Sequence, residues 1–302
     1  MLDYYDDSCF IQRYGKRVIT HNRCFLDYRN GKVRAYMTET IRRMVEDYGA
    51  DYIKFDYNQD LGIGTDVNAF SHGEGLELCA AAFLEWVEEI KKQYPHVVWE
   101  ACASGGLRMD YKTLSVFSLV STSDQIDYLK YPYIAGNILS AVLPEQAAVW
   151  SYPVGRCTKE TIGDDEIVMN MINSFLGRMH LASHLEWMND HQLELVKEGV
   201  AIYKSLTEVK SKALPFFPKG FTGFGAKTVC AGLQYEGGIC LAVWCLGDDL
   251  CVEVELDEKI ADVRIVYPSM PKAGIFWEEN CLKLKFEETK KAVFLAVDME
   301  KK

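Results

Sequence analysis

Short apolar segments alternate with amphipathic helical segments from about residue 20 to residue 207, at intervals of roughly 30–45 residues. Predicted strands lie near residues 25, 53, 98, 120, 149 and 180. Repeated strand–helix units of this kind build a parallel sheet that is covered by helices. The predicted fold class is therefore α/β, and six strands fit either an open doubly wound sheet or part of an eight-stranded barrel.

The pattern changes after Leu214, where short strands follow one another with turn residues such as Gly, Asp and Asn between them. This pattern is typical of a small antiparallel β-sandwich. We therefore predict two domains, a (β/α) domain over residues 1–212 and a sandwich domain over residues 213–302.

The net charge and the cysteine positions limit which partners and which cellular location the chain can have. The formal net charge of −11 over 302 residues argues against nucleic acid or an anionic membrane as partner and is compatible with a neutral sugar. The sequence contains no run of about 18 apolar residues, the length that a membrane-spanning helix needs. The ten cysteines are scattered without a CxxC pair, and the acidic start lacks a signal-peptide core, so a cytoplasmic location is expected.

The second predicted strand ends in a group of polar residues that includes Lys54, Asp56 and Asn58. Lys54 and Asp56 are two apart, so both side chains lie on one side of the strand. A neighbouring cation keeps a carboxylate ionised, as a nucleophile requires. Asp56 is therefore a candidate nucleophile, and the alternative is a carboxylate that caps the next helix or binds a loop backbone.

A second acid follows a different strand. Asp124 comes after the apolar segment at residues 119–120 without a basic neighbour in sequence, which favours a proton donor. Asp127 competes for this role. Acids at the ends of two parallel strands can converge, and glycoside hydrolysis uses such a pair. Retention of anomeric configuration would place the two carboxyl groups about 5–5.5 Å apart.

Histidines raise the question of a metal. His180 and His184 have HxxxH spacing, but Glu does not follow His180 and a third ligand is not in pattern. We expect no metal ion. The residues Ser104 and Gly105 lie in a predicted tight turn that lets backbone approach a ligand, and the turn matches neither a nucleophile elbow nor a phosphate loop.

Three motifs in this order resemble glycoside hydrolase family 36, the α-galactosidases of the melibiose and raffinose type. Residues 52–58 (YIKFDYN) are similar to the family's YIKWDMNR, residues 100–110 (EACASGGLRMD) to its ECxSGGGRFD, and residues 121–127 (STSDQID) to its WTSDxTD. Residues 25–34 also resemble the family's VLDxxxPEVR. The resemblance covers the chain from about residue 20 to its end.

The resemblance implies a retaining mechanism on a (β/α)8 barrel with a C-terminal β-sandwich and without cofactor. Asp56 would be the nucleophile and Asp124 the acid/base. The residues that would bind the sugar are Lys54, Arg23, Asn58, Cys102, Ser104 and Gly105.

Departures from the family pattern leave the sugar open. Phe55 stands where the family has Trp, and Gln59 where it has Arg, so galactose and N-acetylgalactosamine both remain candidates. Transfer to water and transfer to another sugar also remain open.

The family's N-terminal sandwich and first barrel strands lie ahead of the matched region, so we expect an incomplete barrel. A non-catalytic or partner-dependent sugar-binding chain is the second hypothesis, with a homo-oligomer or a chain that supplies the missing strands as the partner.

Overall fold

The structure is a computed structural model that describes residues 6–154 and 159–300. The chain divides into two compact units, residues 1–120 and residues 121–302. The fold is mixed α/β, with parallel strands in both units and antiparallel sheets in the second, as the sequence predicted. No described helix is long and apolar enough to cross a bilayer.

The first unit begins with two short antiparallel hairpins: β1 (Gln12–Arg13) with β2 (Lys16–Arg17), and β3 (Ile19–Thr20) with β4 (Arg23–Cys24). Helices and parallel strands then alternate in the order α1 (Gly31–Arg42), β5 (Tyr52–Asp56), α2 (His72–Gln93), β6 (Val98–Cys102), α3 (Tyr111–Val116) and β7 (Leu119–Ser121). A π-helical turn (Arg43–Asp47) extends α1. In this unit β6 pairs in parallel with β5 and with the start of β7.

The prediction of a parallel strand near residue 25 is wrong. Arg23–Cys24 pairs antiparallel with Ile19–Thr20, and Leu26 forms an isolated antiparallel bridge with Phe10. Helix α1 follows this segment and is long enough for a crossover, but the backbone groups of residues 23–26 are satisfied by antiparallel pairing with segments that precede them in the chain.

Helix boundaries follow from capping residues. Ser71 precedes α2, and its hydroxyl accepts from the backbone amide of Glu74 at 3.2 Å. At the start of α3, the carboxylate of Asp110 accepts from the backbone amide of Thr113. These side chains satisfy amides that have no partner within the helix. After α1 and its π-helical turn, Gly49 adopts a φ of 71°, a conformation that ends a helix at low cost when the residue is glycine.

The second unit starts with α4 (Tyr131–Ala135), β8 (Ala147–Ser151), α5 (Asp164–Phe175), β9 (Arg178–Leu181), α6 (Asp190–Ser205) and the single turn α7 (Thr207–Lys210). Strands β8 and β9 pair in parallel. Helix α6 has a capping box in which Asn189 and Gln192 exchange side-chain and backbone bonds.

Eight further strands complete the second unit: β10 (Leu214–Phe216), β11 (Thr228–Tyr235), β12 (Gly238–Cys245), β13 (Cys251–Glu255), β14 (Ile260–Tyr267), β15 (Ala273–Glu278), β16 (Cys281–Phe286) and β17 (Lys291–Met299). They form two antiparallel sheets, in the orders β10-β11-β12-β17-β14 and β13-β16-β15. The predicted boundary near residue 212 stays a prediction, since the compact units divide the chain elsewhere.

Alternating side chains of both antiparallel sheets form one buried cluster, to which Leu241 and Leu282 contribute with no exposed surface. On the other side of the larger sheet, the indole Nε1 of Trp244 donates to Asn173 Oδ1 of α5 at 2.8 Å. Because both groups are buried, this hydrogen bond stabilises the packing of helix α5 on strand β12.

Lys210 is a buried cation in α7, with 5% of its surface exposed. Its Nζ donates to the carbonyl oxygen of Gly177 at 2.6 Å and lies 3.9 Å from the ring centroid of Tyr203. Burial, aided by the charge of Arg178, lowers the pKa of Lys210 to about 7. The unfolded chain keeps this pKa near 10.5, so above pH 7 the unfolded state binds more protons.

We therefore expect the stability contribution of Lys210 to rise with pH from about 7 and to be lost as pH falls toward 7. The difference in unfolding free energy between wild type and Lys210→Met should change by about 1.4 kcal/mol per pH unit within this window. Urea titrations from pH 6 to pH 9 measure it, and exposed Lys212→Met is the control. If the unfolding free energies of wild type and Lys210→Met changed in parallel with pH, the lowered pKa of Lys210 would be contradicted.

Candidate active site

Strands β5 and β6 bring six of the predicted residues to adjoining ends. Lys54 and Asp56 lie on one face of β5, and the register sets Asp56 opposite Cys102 of β6. The intervening residue Phe55 lies on the other face, where its ring packs 5.8 Å from that of Phe83 on α2. The side chains of Lys54 and Asp56 therefore point away from the helix layer.

A tight turn follows β6. Ser104, Gly105 and Gly106 all have positive φ, at 48°, 60° and 95°, which glycine adopts readily and serine does not. The side-chain oxygen of Asn58 accepts from the backbone amide of Ser104 at 2.7 Å, and Tyr57 donates its amide to the carbonyl of Cys102 at 3.2 Å. These bonds hold the segments after β5 and β6 together.

Arg23 lies on the β3–β4 hairpin rather than at the end of a parallel strand. The hairpin still adjoins the segment after β5, because His21 Nδ1 and Gln59 Oε1 are 2.7 Å apart. Arg23 is exposed, so its guanidinium is accessible to a ligand.

Asp27, also at the end of the misassigned strand, is buried and paired with Arg29 at 2.7 Å. This bond is the main cause of the raised pKa of Arg29. Asp27 thus has a structural partner.

Sequence reasoning missed the partner of Lys54. Glu100 of β6 is 1% exposed, and its Oε1 lies 3.9 Å from Lys54 Nζ. The hydroxyl of Tyr52 donates to the other carboxylate oxygen. The available signal was an acidic residue in an otherwise apolar strand, since a buried carboxylate requires a partner.

Asp124 belongs to the second unit, in the segment after β7. Thr122 anchors the start of this segment, because its amide and hydroxyl both donate to the carbonyl of Ala148, at 3.1 and 2.8 Å. Asp124 is exposed. Burial, together with the nearby charge of Asp124, raises the pKa of Tyr152 beyond β8, which indicates that a titratable hydroxyl lies close to this carboxylate.

The competing acid, Asp127, already has a local function. Its carboxylate accepts from the amide of Leu129 at 3.0 Å and lies 3.8 Å from Lys130 Nζ. Its carbonyl accepts from the amide of Tyr131. These bonds form the turn into α4, so the carboxylate of Asp127 is engaged locally, whereas Asp124 is exposed.

The histidines of the HxxxH segment have other neighbours. The His180 ring meets Trp150 edge-on at 5.1 Å between centroids, and the His184 ring stacks on Trp187 at 4.0 Å. Among the described residues, no group of three or more His, Cys, Asp or Glu is placed to bind a metal ion.

Comparison with known proteins identifies the family. The sequence profile of Melibiase matches residues 5–212. The chain belongs to the Melibiase family. Among curated Melibiase relatives, α-galactosidase AgaA of Geobacillus stearothermophilus is 25% identical over 196 residues, which are 61% of this chain and 25% of AgaA. Probable α-galactosidase C of Aspergillus terreus is 28% identical over 114 residues, which are 38% of this chain and 14% of that protein.

Solved structures show the same fold. The α-galactosidase of Lactobacillus brevis aligns with a TM-score of 0.75 at 17% identity, over 98% of this chain and 42% of that one. The galactosidase domain of AgaSK gives 0.74 at 17% identity, over 97% and 40%. An AgaA variant in complex with raffinose gives 0.73 at 15% identity, over 96% and 42%. This Melibiase chain thus spans less than half the length of these relatives.

Proposed function

We propose that this chain carries the catalytic groups of a retaining α-galactosidase that acts on melibiose- and raffinose-type oligosaccharides. One observation carries the proposal: Asp56 ends a parallel strand on the same face as Lys54 and opposite Cys102, within a Melibiase sequence. The named relatives are α-galactosidases, and one AgaA structure contains raffinose.

The proposed reaction has two displacements. In the first, an Asp56 carboxylate oxygen bonds to the anomeric carbon while the glycosidic C–O bond breaks and Asp124 gives its proton to the leaving oxygen. In the second, Asp124 accepts a proton from water, the water oxygen bonds to the anomeric carbon, and the Asp56 ester bond breaks. Two inversions give net retention.

The other residues would bind the sugar. Lys54 and Arg23 offer cationic donors to sugar hydroxyls, while the turn at Ser104 and Gly105 offers backbone at close range. Cys102 is buried beside Asp56 in register and would line the pocket. We propose no metal or organic cofactor, because two carboxylates suffice for this chemistry.

The test is the stereochemistry of hydrolysis. NMR of a fresh reaction with nitrophenyl α-galactoside should show α-galactose as the first product, which then equilibrates to the β-anomer. First appearance of β-galactose would contradict the retaining mechanism. Parallel assays with nitrophenyl α-N-acetylgalactosaminide and with an added sugar acceptor distinguish the N-acetylgalactosaminidase and galactosyl transferase alternatives.

A partner-dependent or non-catalytic sugar-binding chain is the second candidate. The matched region corresponds to 25% of AgaA and to 42% of the L. brevis structure. For residues 1–212 we propose part of a (β/α)8 barrel, a fold supported by the alternation of helices and parallel strands. The proposed location is cytoplasmic. Sedimentation combined with galactose calorimetry tests this candidate, and a monomer that turns over substrate would exclude it.

A further inference from the structure

Four side chains on β5 and β6 form a grid on one face of the first unit's parallel strands. The register pairs Lys54 with Glu100 and Asp56 with Cys102. Paired residues of adjacent strands share a face, and residues two apart on one strand share it as well. The Lys54–Glu100 pair therefore lies one layer beneath the pair that contains the proposed nucleophile.

Within this set of four side chains, Glu100 is buried and has two neighbouring partners. It is 1% exposed, the Tyr52 hydroxyl donates to its Oε2, and Lys54 Nζ lies 3.9 Å from its Oε1. By contrast, the Lys54 side chain is 27% exposed. A sugar could therefore contact the ammonium of Lys54 without contacting the carboxylate of Glu100.

We propose that Glu100 is the positioning residue of Lys54 in sugar binding, an inference that rests on the proposed function. Lysine has a flexible four-carbon stem and three ammonium donors. The charge of the Glu100 carboxylate favours one direction of this stem, so the ammonium already lies where the sugar would meet it. A preorganised side chain loses less freedom on binding, and affinity increases accordingly.

The variant that isolates this effect is Glu100→Gln. Glutamine has the same shape, and its amide oxygen still accepts from the Tyr52 hydroxyl, so the change removes the charge that faces Lys54. A matched control is Glu46→Gln, because Glu46 also accepts from a tyrosine hydroxyl, that of Tyr94 at 2.7 Å, on the helix side of the same unit.

The first measurement needs no ligand. In spectra of ¹⁵N-lysine-labelled protein, the Lys54 ammonium signal is assigned by its loss in Lys54→Met. We expect this signal to be protected from exchange with water in wild type and in Glu46→Gln. In Glu100→Gln we expect it to exchange and broaden as the signals of solvent-exposed lysines do. An unprotected Lys54 signal in wild type would overturn the inference, whatever the protein's activity.

The second measurement is calorimetry with 1-deoxygalactonojirimycin. Glu100→Gln should weaken binding about tenfold, the equivalent of ordering one long side chain. In a Lys54→Met background it should have almost no further effect. An equal loss in both backgrounds, or none in wild type, would overturn the positioning role. Another outcome is that wild-type protein fails to bind the probe although its Lys54 signal is protected. That result would contradict both the proposed function and the role of Glu100 in sugar binding, while the Lys54–Glu100 ion pair would still be supported.

Discussion

Replacing Asp56 with alanine is expected to lower kcat on nitrophenyl α-galactoside by roughly 10⁴-fold or more, because the variant has no group to form the glycosyl ester. Asp56 is exposed at the end of β5, so its removal should leave the fold intact. Initial rates at saturating substrate, together with a thermal melt, measure both effects.

Asp51 provides the control for this variant. It is also exposed and lies just ahead of the same strand, where its backbone carbonyl accepts from Val98 at 2.8 Å, a bond that alanine preserves. Asp51→Ala should retain wild-type activity. Added azide should partly restore Asp56→Ala and yield β-galactosyl azide, since the anion attacks from the side that the carboxylate vacated. Equal rates for wild type and Asp56→Ala would rule out the nucleophile assignment.

Asp124→Asn is expected to show a loss that depends on the leaving group. Raffinose needs a proton on its departing oxygen, so its hydrolysis should fall by about 10²–10⁴-fold. Nitrophenolate departs without protonation, so formation of the glycosyl ester from the aryl galactoside should be much less affected. Steady-state rates on the two substrates, with a pre-steady-state burst for the aryl galactoside, measure the difference.

The anomer of the azide product separates the two carboxylates. With Asp124→Asn, azide attacks the glycosyl ester and should yield α-galactosyl azide, the opposite anomer from Asp56→Ala. Asp127→Asn is the companion variant, because Asp127 binds Leu129 and Lys130, and its main expected effect is on stability. A leaving-group-dependent loss in Asp127→Asn instead would transfer the acid/base role to that residue.

The regular part of the fold could be predicted from local sequence because local physics determines it. The apolar strand before Asp56 and the amphipathic helix before it match β5 and α1 within a few residues. Two-residue alternation along β5 placed Lys54 and Asp56 on one face without any tertiary information. The turn at Ser104 and Gly105 was visible because its backbone favours glycine.

The wrong and the missing predictions concern which segments of the chain pair with each other. Arg23–Cys24 pairs with Ile19–Thr20 just ahead of it instead of joining the parallel strands, and a short segment can satisfy its backbone hydrogen bonds in either way. The Lys54–Glu100 pair depends on the register between β5 and β6, which strand patterning within one segment cannot supply. The partner of Lys54 therefore could not be predicted from the strand that carries it.

Trapping the glycosyl ester tests the central claim most directly. Wild-type protein is incubated with an activated fluorinated α-galactosyl fluoride, digested with pepsin at low pH and analysed by mass spectrometry. The account predicts one fluorogalactosyl group, attached to the peptide that contains Asp56 and located on that carboxylate. A label on a different carboxylate, or turnover of nitrophenyl α-galactoside by a protein that forms no adduct at Asp56, would contradict it.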